Sequence, residues 1–186
     1  DGVAFVRAAR AAGASLVVAR EVVAADVPTL VVPDVDVALR EAADAWYGRP
    51  QDVLDLVGVT GTKGKTTTSY LVRAALAAAG RRCAVIGTIA YDVGDGKPRE
   101  APNTTPGALA LRRLLAEARD AGATACVMEV SSHALDQGRT EGLPFKVGVL
   151  TNLASDHLDY HRTPEAYFEA KARLFSGLAR ASAAVL

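Results

Sequence analysis

The chain has 186 residues, enough for one large or two small domains. Half of them are apolar and 23% are charged, which excludes a generally disordered polymer. Lysine plus arginine equals aspartate plus glutamate, 21 each, so no extended basic surface for nucleic acid or an anionic membrane is expected, and no apolar run approaches the roughly 20 residues of a membrane span.

In chain order the pattern predicts a helix over 2–13, strands over 15–19 and 28–32, and a helix over 36–47. The turn-rich "YGRPQD", Tyr47 to Asp52, is the expected domain boundary. A regular alternation follows. "LDLVGVT" predicts a buried strand over 54–60, and a helix over 65–79 ends at Gly80. "CAVIGT" predicts a strand over 83–88. A long polar loop, a helix over 107–121 ending at Gly122 and a strand over 123–130 come next. A strand over 145–153 precedes a helix over 164–178, with Thr163 as N-cap and Pro164 at the first helical position, and a last strand begins near Ala183. Strands rich in Val, Ile and Leu, alternating with helices, predict an α/β fold with a mostly parallel, doubly wound sheet. Cys83 and Cys126 both fall in predicted strands and read as buried small hydrophobes. With no CxxC or Cys/His metal spacing, a reducing cytoplasm is expected. No basic-then-apolar leader follows Asp1. The chain opens without Met and stops on "SAAVL", so it is expected to be part of something longer.

In open α/β sheets ligands bind beyond the carboxyl ends of the strands. Four polar clusters fall at such ends: Gly61–Thr67, Asn103–Thr105, Glu129–His133 and Thr151–His161. The first reads as a phosphate loop. Gly61 and Gly64 let the backbone curl so that N–H groups face phosphate oxygens, and the helix starting near Lys65 adds a positive dipole end. Lys65 would reach the β- and γ-phosphates of ATP, and the Thr66 hydroxyl would bind Mg²⁺. The usual G-x-x-x-x-G-K-[ST] spacing fails by one residue, because Val59 stands five before Gly64 and Gly58 is one place too early. Glu129 ends an apolar strand, where a carboxylate needs a cation, and Mg²⁺ is the natural one. Ser131, Ser132, Gln137 and Arg139 put donors on one segment, as an anionic substrate requires; Ser132 reads equally well as a helix cap. Lys171 reads as a solvated helix lysine, and Lys63 as an exposed one that adds charge beside the triphosphate.

"GTKGKTT" resembles the ATP loop of the Mur ligase superfamily, which joins an amino acid or peptide to a carboxylate through an acyl phosphate. Thr66–Thr67 argues against its folylpolyglutamate branch. "MEVSSHALDQGR", "NTTP" and "TNLASDHLDYH" are similar to segments of the diamino-acid-adding ligases of peptidoglycan synthesis, over nearly the whole chain. The resemblance implies that residues 1–50 are the C-terminal part of a UDP-substrate-binding domain. Residues 51–186 would then be the N-terminal part of a central ATP-binding domain, with a closing ligase domain beyond the chain. It assigns Gly61, Thr62, Lys63, Gly64, Lys65, Thr66 and Thr67 to ATP. Asn103, Thr104, Thr105, Ser131, Gln137 and Arg139 go to UDP-N-acetylmuramoyl dipeptide, and Thr66, Glu129, His157 and Lys171 to Mg²⁺. Lys65 and Lys171 would be catalytic, Lys171 as an N-carboxylated side chain. The second substrate would be a diamino acid, meso-diaminopimelate or L-lysine, and the enzyme a cytoplasmic monomer. The readings weighed beside it are another ligase of the superfamily, a cyanophycin-type synthetase, a P-loop ATPase without ligase activity, and a non-catalytic binding piece.

Overall fold

The computed structural model describes residues 2–23, 27–178 and 182–185, so the expectations that rest on Asp1 and Leu186 lie outside the described residues. The chain divides into two compact units, one up to Ala43 and one from Asp44 onward. The first contains a short 3-10 turn at Gly2–Phe5, helix α1 (Val6–Ala11), and strands β1 (Val17–Ala19) and β2 (Thr29–Val31). The two strands pair in parallel, with Val17 opposite Thr29. Helix α2 (Val35–Trp46) opens on Asp34, whose carboxylate accepts from the Asp36 and Val37 N–H groups. The single helix expected over 2–13 is therefore a 3-10 turn followed by a shorter α-helix.

The second unit is built on six strands: β3 (Asp55–Thr60), β4 (Cys83–Ile86), β5 (Tyr91–Asp92), β6 (Ala125–Glu129), β7 (Phe145–Leu150) and β8 (Ala183–Val185). Their order is β5-β4-β6-β3-β7-β8. All pairings are parallel except β4 with β5. The mostly parallel, doubly wound sheet expected from the sequence is the one observed. Helices α3 (Lys65–Ala78), α4 (Ala108–Asp120), α5 (Ser132–Asp136), α6 (Leu158–His161) and α7 (Pro164–Ser176) complete the unit. Val57, Val59, Cys83, Ala125 and Val127 face Val72 and Leu76 of α3. Leu56, Ala84, Ile86, Cys126 and Met128 face the opposite way and pack with Leu111, Leu114 and Leu115 of α4 and Leu174 of α7. Strands buried on both faces read as continuous apolar runs, which is why they were legible.

Both predicted helix stops hold: Gly80 and Gly122 follow the C-caps Ala79 and Ala121. Thr163 caps α7 by accepting from the Ala166 N–H at 3.1 Å, with Pro164 next. Sequence reasoning missed β5, α5 and α6, all short. β5 turns the chain back through a Tyr91–Arg99 bridge. The strand expected over 145–153 ends at Leu150; beyond it the side chains of Thr151 and Asn152 hold the loop after β3. β3 lies between β6 and β7, whereas the chain leaves it for β4, which lies on the far side of β6. The carboxyl ends of β3, β4, β6 and β7 meet at this switch point, where open sheets of this class bind ligands.

Candidate active site

The loop Gly61–Gly64 joins β3 to α3. Gly61 has φ +142° and Gly64 φ +82°. A Cβ on Gly61 would collide with the Thr151 hydroxyl and crowd the Asn152 backbone, so only glycine fits. The first turn of α3 leaves N–H groups of Lys65, Thr66 and Thr67 without helical acceptors, a ready anion cradle. The Lys65 ammonium folds back onto the carbonyls of Gly61 (2.8 Å) and Thr62 (3.1 Å). Burial lowers its pKa, against the raising effect of the Glu129 and Asp156 charges. Lys63 and Thr67 are exposed, and Thr62 bonds to Tyr167 Oη at 3.1 Å.

Glu129 ends β6 and is 1% exposed. Its Oε1 accepts from Thr66 Oγ1 at 3.0 Å and from the Thr88 N–H at 2.9 Å; Oε2 accepts from Thr88 Oγ1 at 3.1 Å. Gly87 leaves no room for a Cβ against this carboxylate. Two hard oxygens, a carboxylate and a hydroxyl, thus meet at the start of α3, a donor set that suits Mg²⁺, which takes few protein ligands and keeps several waters. Among the described residues no group of three or more His, Cys, Asp and Glu could hold a metal ion. Thr66 and Glu129 are in contact. Lys171 lies across the loop, donating to the Gly61 carbonyl at 3.0 Å, with its Nζ 4.3 Å from the centre of the Tyr167 ring. The His157 ring lies 6.2 Å from that ring, beside Asp156.

Lys171 corrects the reading of its residue type. It is 2% exposed rather than solvated. Its position on α7 turns it inward beside Tyr167, Ala170 and Leu174, all buried. Burial, and then the nearby Lys65 charge, lower its pKa to about 8.

The expected substrate segments converge on the same rim. Thr104 Oγ1 pairs with Thr88 Oγ1 at 3.0 Å. Thr105 is buried; its hydroxyl donates to the Glu129 carbonyl at 2.8 Å and accepts from the Ser131 N–H at 3.1 Å. The Asn103 carbonyl accepts from Tyr91 Oη at 2.5 Å, leaving the Asn103 residue exposed. Arg139 donates to the Thr105 carbonyl at 2.8 Å and grips Gln137 Oε1 with two nitrogens, at 2.6 and 3.0 Å. Gly138, at φ +64°, makes the turn that closes α5 and brings Arg139 back over Ala134. The α5 cap is Ser131, which accepts from the Ala134 N–H, so the capping alternative for Ser132 does not hold. Ser132 is buried against His161, Oγ to Nε2 at 2.9 Å.

α6 is a single turn between two left-handed residues that are not glycine, His157 at φ +52° and Arg162 at φ +69°. It is tied to α5 through His161–Ser132 and Tyr160 Oη–Asp136 Oδ2, the latter at 2.9 Å. His133 packs between Tyr160 (4.2 Å), His157 (4.9 Å) and His161 (5.4 Å). Burial first, then the neighbouring histidine, lowers the pKa of His133 and of His161. Sequence reasoning passed over Thr88, Asn152 and Tyr167. Thr88 closed a predicted strand at its carboxyl end, and that position was signal enough to flag it.

Residues 59–186 match the profile of the Mur ligase middle domain. The chain belongs to the Mur ligase family. It is 51% identical over 180 residues to the UDP-N-acetylmuramoyl-L-alanyl-D-glutamate--2,6-diaminopimelate ligase of Geobacter metallireducens, covering 96% of this chain and 35% of that protein. The enzyme of the same name from Synechococcus elongatus is 48% identical over 95% of this chain and 37% of its own length. A solved structure of a ligase with that name superposes with a TM-score of 0.76 at 37% identity, over 95% of this chain and 36% of the other. MurF from Thermotoga maritima in complex with ADP shares the fold, with a TM-score of 0.61 at 23% identity, over 99% of this chain and 39% of the other. This Mur ligase chain thus spans about a third of the length of the relatives it matches. No helix among its described residues is long and apolar enough to cross a membrane.

Proposed function

We propose that the protein containing this chain is an ATP-dependent amide ligase of the cytoplasm. It would join a diamino acid, 2,6-diaminopimelate, to the D-glutamate carboxylate of UDP-N-acetylmuramoyl-L-alanyl-D-glutamate. The carrying observation is convergence: the phosphate loop, the buried Glu129 and the Thr104–Thr105–Ser131–Arg139 rim are joined by direct hydrogen bonds. The relatives' names supply the substrates. In this reading residues 1–50 close a UDP-substrate-binding domain and residues 51–186 begin the ATP-binding one.

The amides at the start of α3 and Lys65 hold the triphosphate and neutralise charge as the phosphoryl group moves to the substrate carboxylate. Thr66 and Glu129 would hold Mg²⁺, with Lys171, as a carbamate, and His157 serving a second ion; bound Mg²⁺ supplies charge neutralisation at the phosphates. Arg139, held by Gln137 and the Thr105 carbonyl, presents a fork suited to a carboxylate or phosphate. Asn103, Thr104, Thr105 and Ser131 orient the muramoyl dipeptide so that its carboxylate meets the γ-phosphate in line. The diamino acid's amine then displaces phosphate from the acyl phosphate, and an amide forms.

The test is ADP release by the intact protein. Release should require the muramoyl dipeptide and diaminopimelate together, with L-lysine a poor replacement. ADP release without the dipeptide would contradict the reading. A second expectation concerns Thr88, whose N–H and hydroxyl both hold the Glu129 carboxylate. Thr88→Val should raise the Mg²⁺ concentration for half-maximal turnover several-fold, and Thr88→Ser should restore it, because a residue that orients a ligand is typically worth 10–100-fold in metal affinity or activity.

A further inference from the structure

The loop after β3 departs by one residue from the usual phosphate-loop spacing, yet it keeps a defined curl. Its outer side is stitched to the end of β7. The Thr62 N–H donates to the Asn152 carbonyl at 3.1 Å. The Lys63 N–H donates to Asn152 Oδ1 at 3.0 Å, and Asn152 Nδ2 donates to the Lys63 carbonyl at 2.8 Å. Thr151 Oγ1 donates to that same carbonyl at 2.6 Å, and the Thr62 hydroxyl exchanges bonds with Ala154 at 2.9 and 3.1 Å. Lys63 N–H can only donate and its C=O only accept, which fixes the orientation of the Asn152 amide.

We infer that Asn152 is a positioning residue for nucleotide binding: its side-chain amide acts as an external strand that braces the loop after β3. The inference rests on the loop being the nucleotide's phosphate site, as proposed above. The amide engages both polar atoms of Lys63, as a neighbouring strand does in a ladder. Two consequences follow. The N–H groups of Thr62 and Lys63 are taken up by Asn152, so the amides left for phosphate are those at the start of α3. The loop is also held in its curl by protein, so nucleotide need not order it on binding. Asparagine alone does this at such a reach. Aspartate would lose the donor to the Lys63 carbonyl and bring a negative charge beside the phosphates, and serine is too short.

The experiment uses the intact protein, with a fluorescent ADP analogue for affinity and steady-state turnover for the Michaelis constants. Asn152→Ala and Asn152→Asp should weaken ADP binding and raise KM for ATP about ten-fold or more, with Asp the worse. KM for the muramoyl dipeptide should stay within about two-fold, and the unfolding midpoint within a few degrees. Thr151→Val, which removes the hydroxyl's bonds to the Lys63 and Thr60 carbonyls and keeps the shape, should shift ADP affinity the same way by about two- to three-fold. A purely structural asparagine would lower the unfolding midpoint without separating the two Michaelis constants, and that result overturns the inference. Lys65→Ala distinguishes the two levels. If it loses ADP binding while the Asn152 variants bind normally, only the brace is wrong; if it too binds ADP normally, the phosphate-loop reading falls with it.

Discussion

Replacing Lys171 with methionine is expected to abolish amide formation by the intact protein while making its fold more stable at neutral pH. The two effects have one cause. Lys171 is 2% exposed, and burial, followed by the Lys65 charge, lowers its pKa from 10.5 to about 8. A lysine whose folded pKa lies below its unfolded value destabilises the fold while it is charged. That penalty is fully present below about pH 8. Between about 8 and 10.5 the unfolded chain binds more protons than the folded one, so wild-type stability rises with pH and the penalty disappears. The shift corresponds to on the order of 3 kcal/mol, reduced by about 1 kcal/mol for the lost hydrogen bond to the Gly61 carbonyl. The methionine variant should therefore gain most over the wild type below pH 8 and lose that advantage toward pH 10, as read by urea denaturation across pH in CO₂-free buffer, where Lys171 stays an amine. The same low pKa leaves a usable fraction of neutral amine near pH 8, the form that adds CO₂. Carboxylation would turn a cation into an oxygen ligand, visible as a bicarbonate-derived ¹³C carbamate signal in the wild type and absent from the variant. Unchanged turnover in the variant removes Lys171 from the mechanism.

Asp44→Ala is expected to be the most destabilising single change outside the site. Arg112 is 0% exposed, and its guanidinium meets Asp44 Oδ1 at 3.0 Å, the Glu141 carbonyl at 2.7 Å and the Arg139 carbonyl at 3.3 Å. Removing one partner of a buried ion pair leaves an uncompensated charge and costs about 3–5 kcal/mol. Replacing both, Asp44→Leu with Arg112→Met, should cost less than Asp44→Ala alone, because no stranded cation remains. The readout is the denaturant midpoint of the intact protein. Arg112 also fixes the backbone on either side of Thr140, from which Arg139 projects. Arg112→Met should therefore raise KM for the muramoyl dipeptide more than KM for ATP. Equal effects on both constants would mean that Arg112 supports the fold and nothing more specific.

The sheet was readable because its central strands β3, β4 and β6 are buried on both faces. Val57, Val59, Val85 and Val127 needed only to be apolar and bounded by turn residues. The phosphate loop was readable for a different reason: its glycines and Lys65 answer to backbone geometry and charge, which leave a local trace. Lys171 was misread because a lysine on a helix is ordinarily solvated, and nothing within a turn of it reveals that α7 aims it at the Gly61 carbonyl 110 residues away. Asn152 was hidden likewise. Its partners are 89 residues upstream, and Thr-Asn at the end of an apolar run looks like the strand continuing. α5 and α6 are too short for any periodicity, and α6 exists only through its contacts with α5 and α7.

Left-handed backbone at non-glycine residues such as His157 and Arg162 costs of order 1–3 kcal/mol each, and an isolated turn this short has no stability of its own. The 158–161 segment should then unlock at a free energy well below that of the sheet, and its amides should exchange with solvent long before those of β3 or β6. Whatever binds through His157 is weakened in proportion to the time the turn spends unlocked. A ligand that keeps His161 on Ser132 would strengthen binding at His157 without touching it.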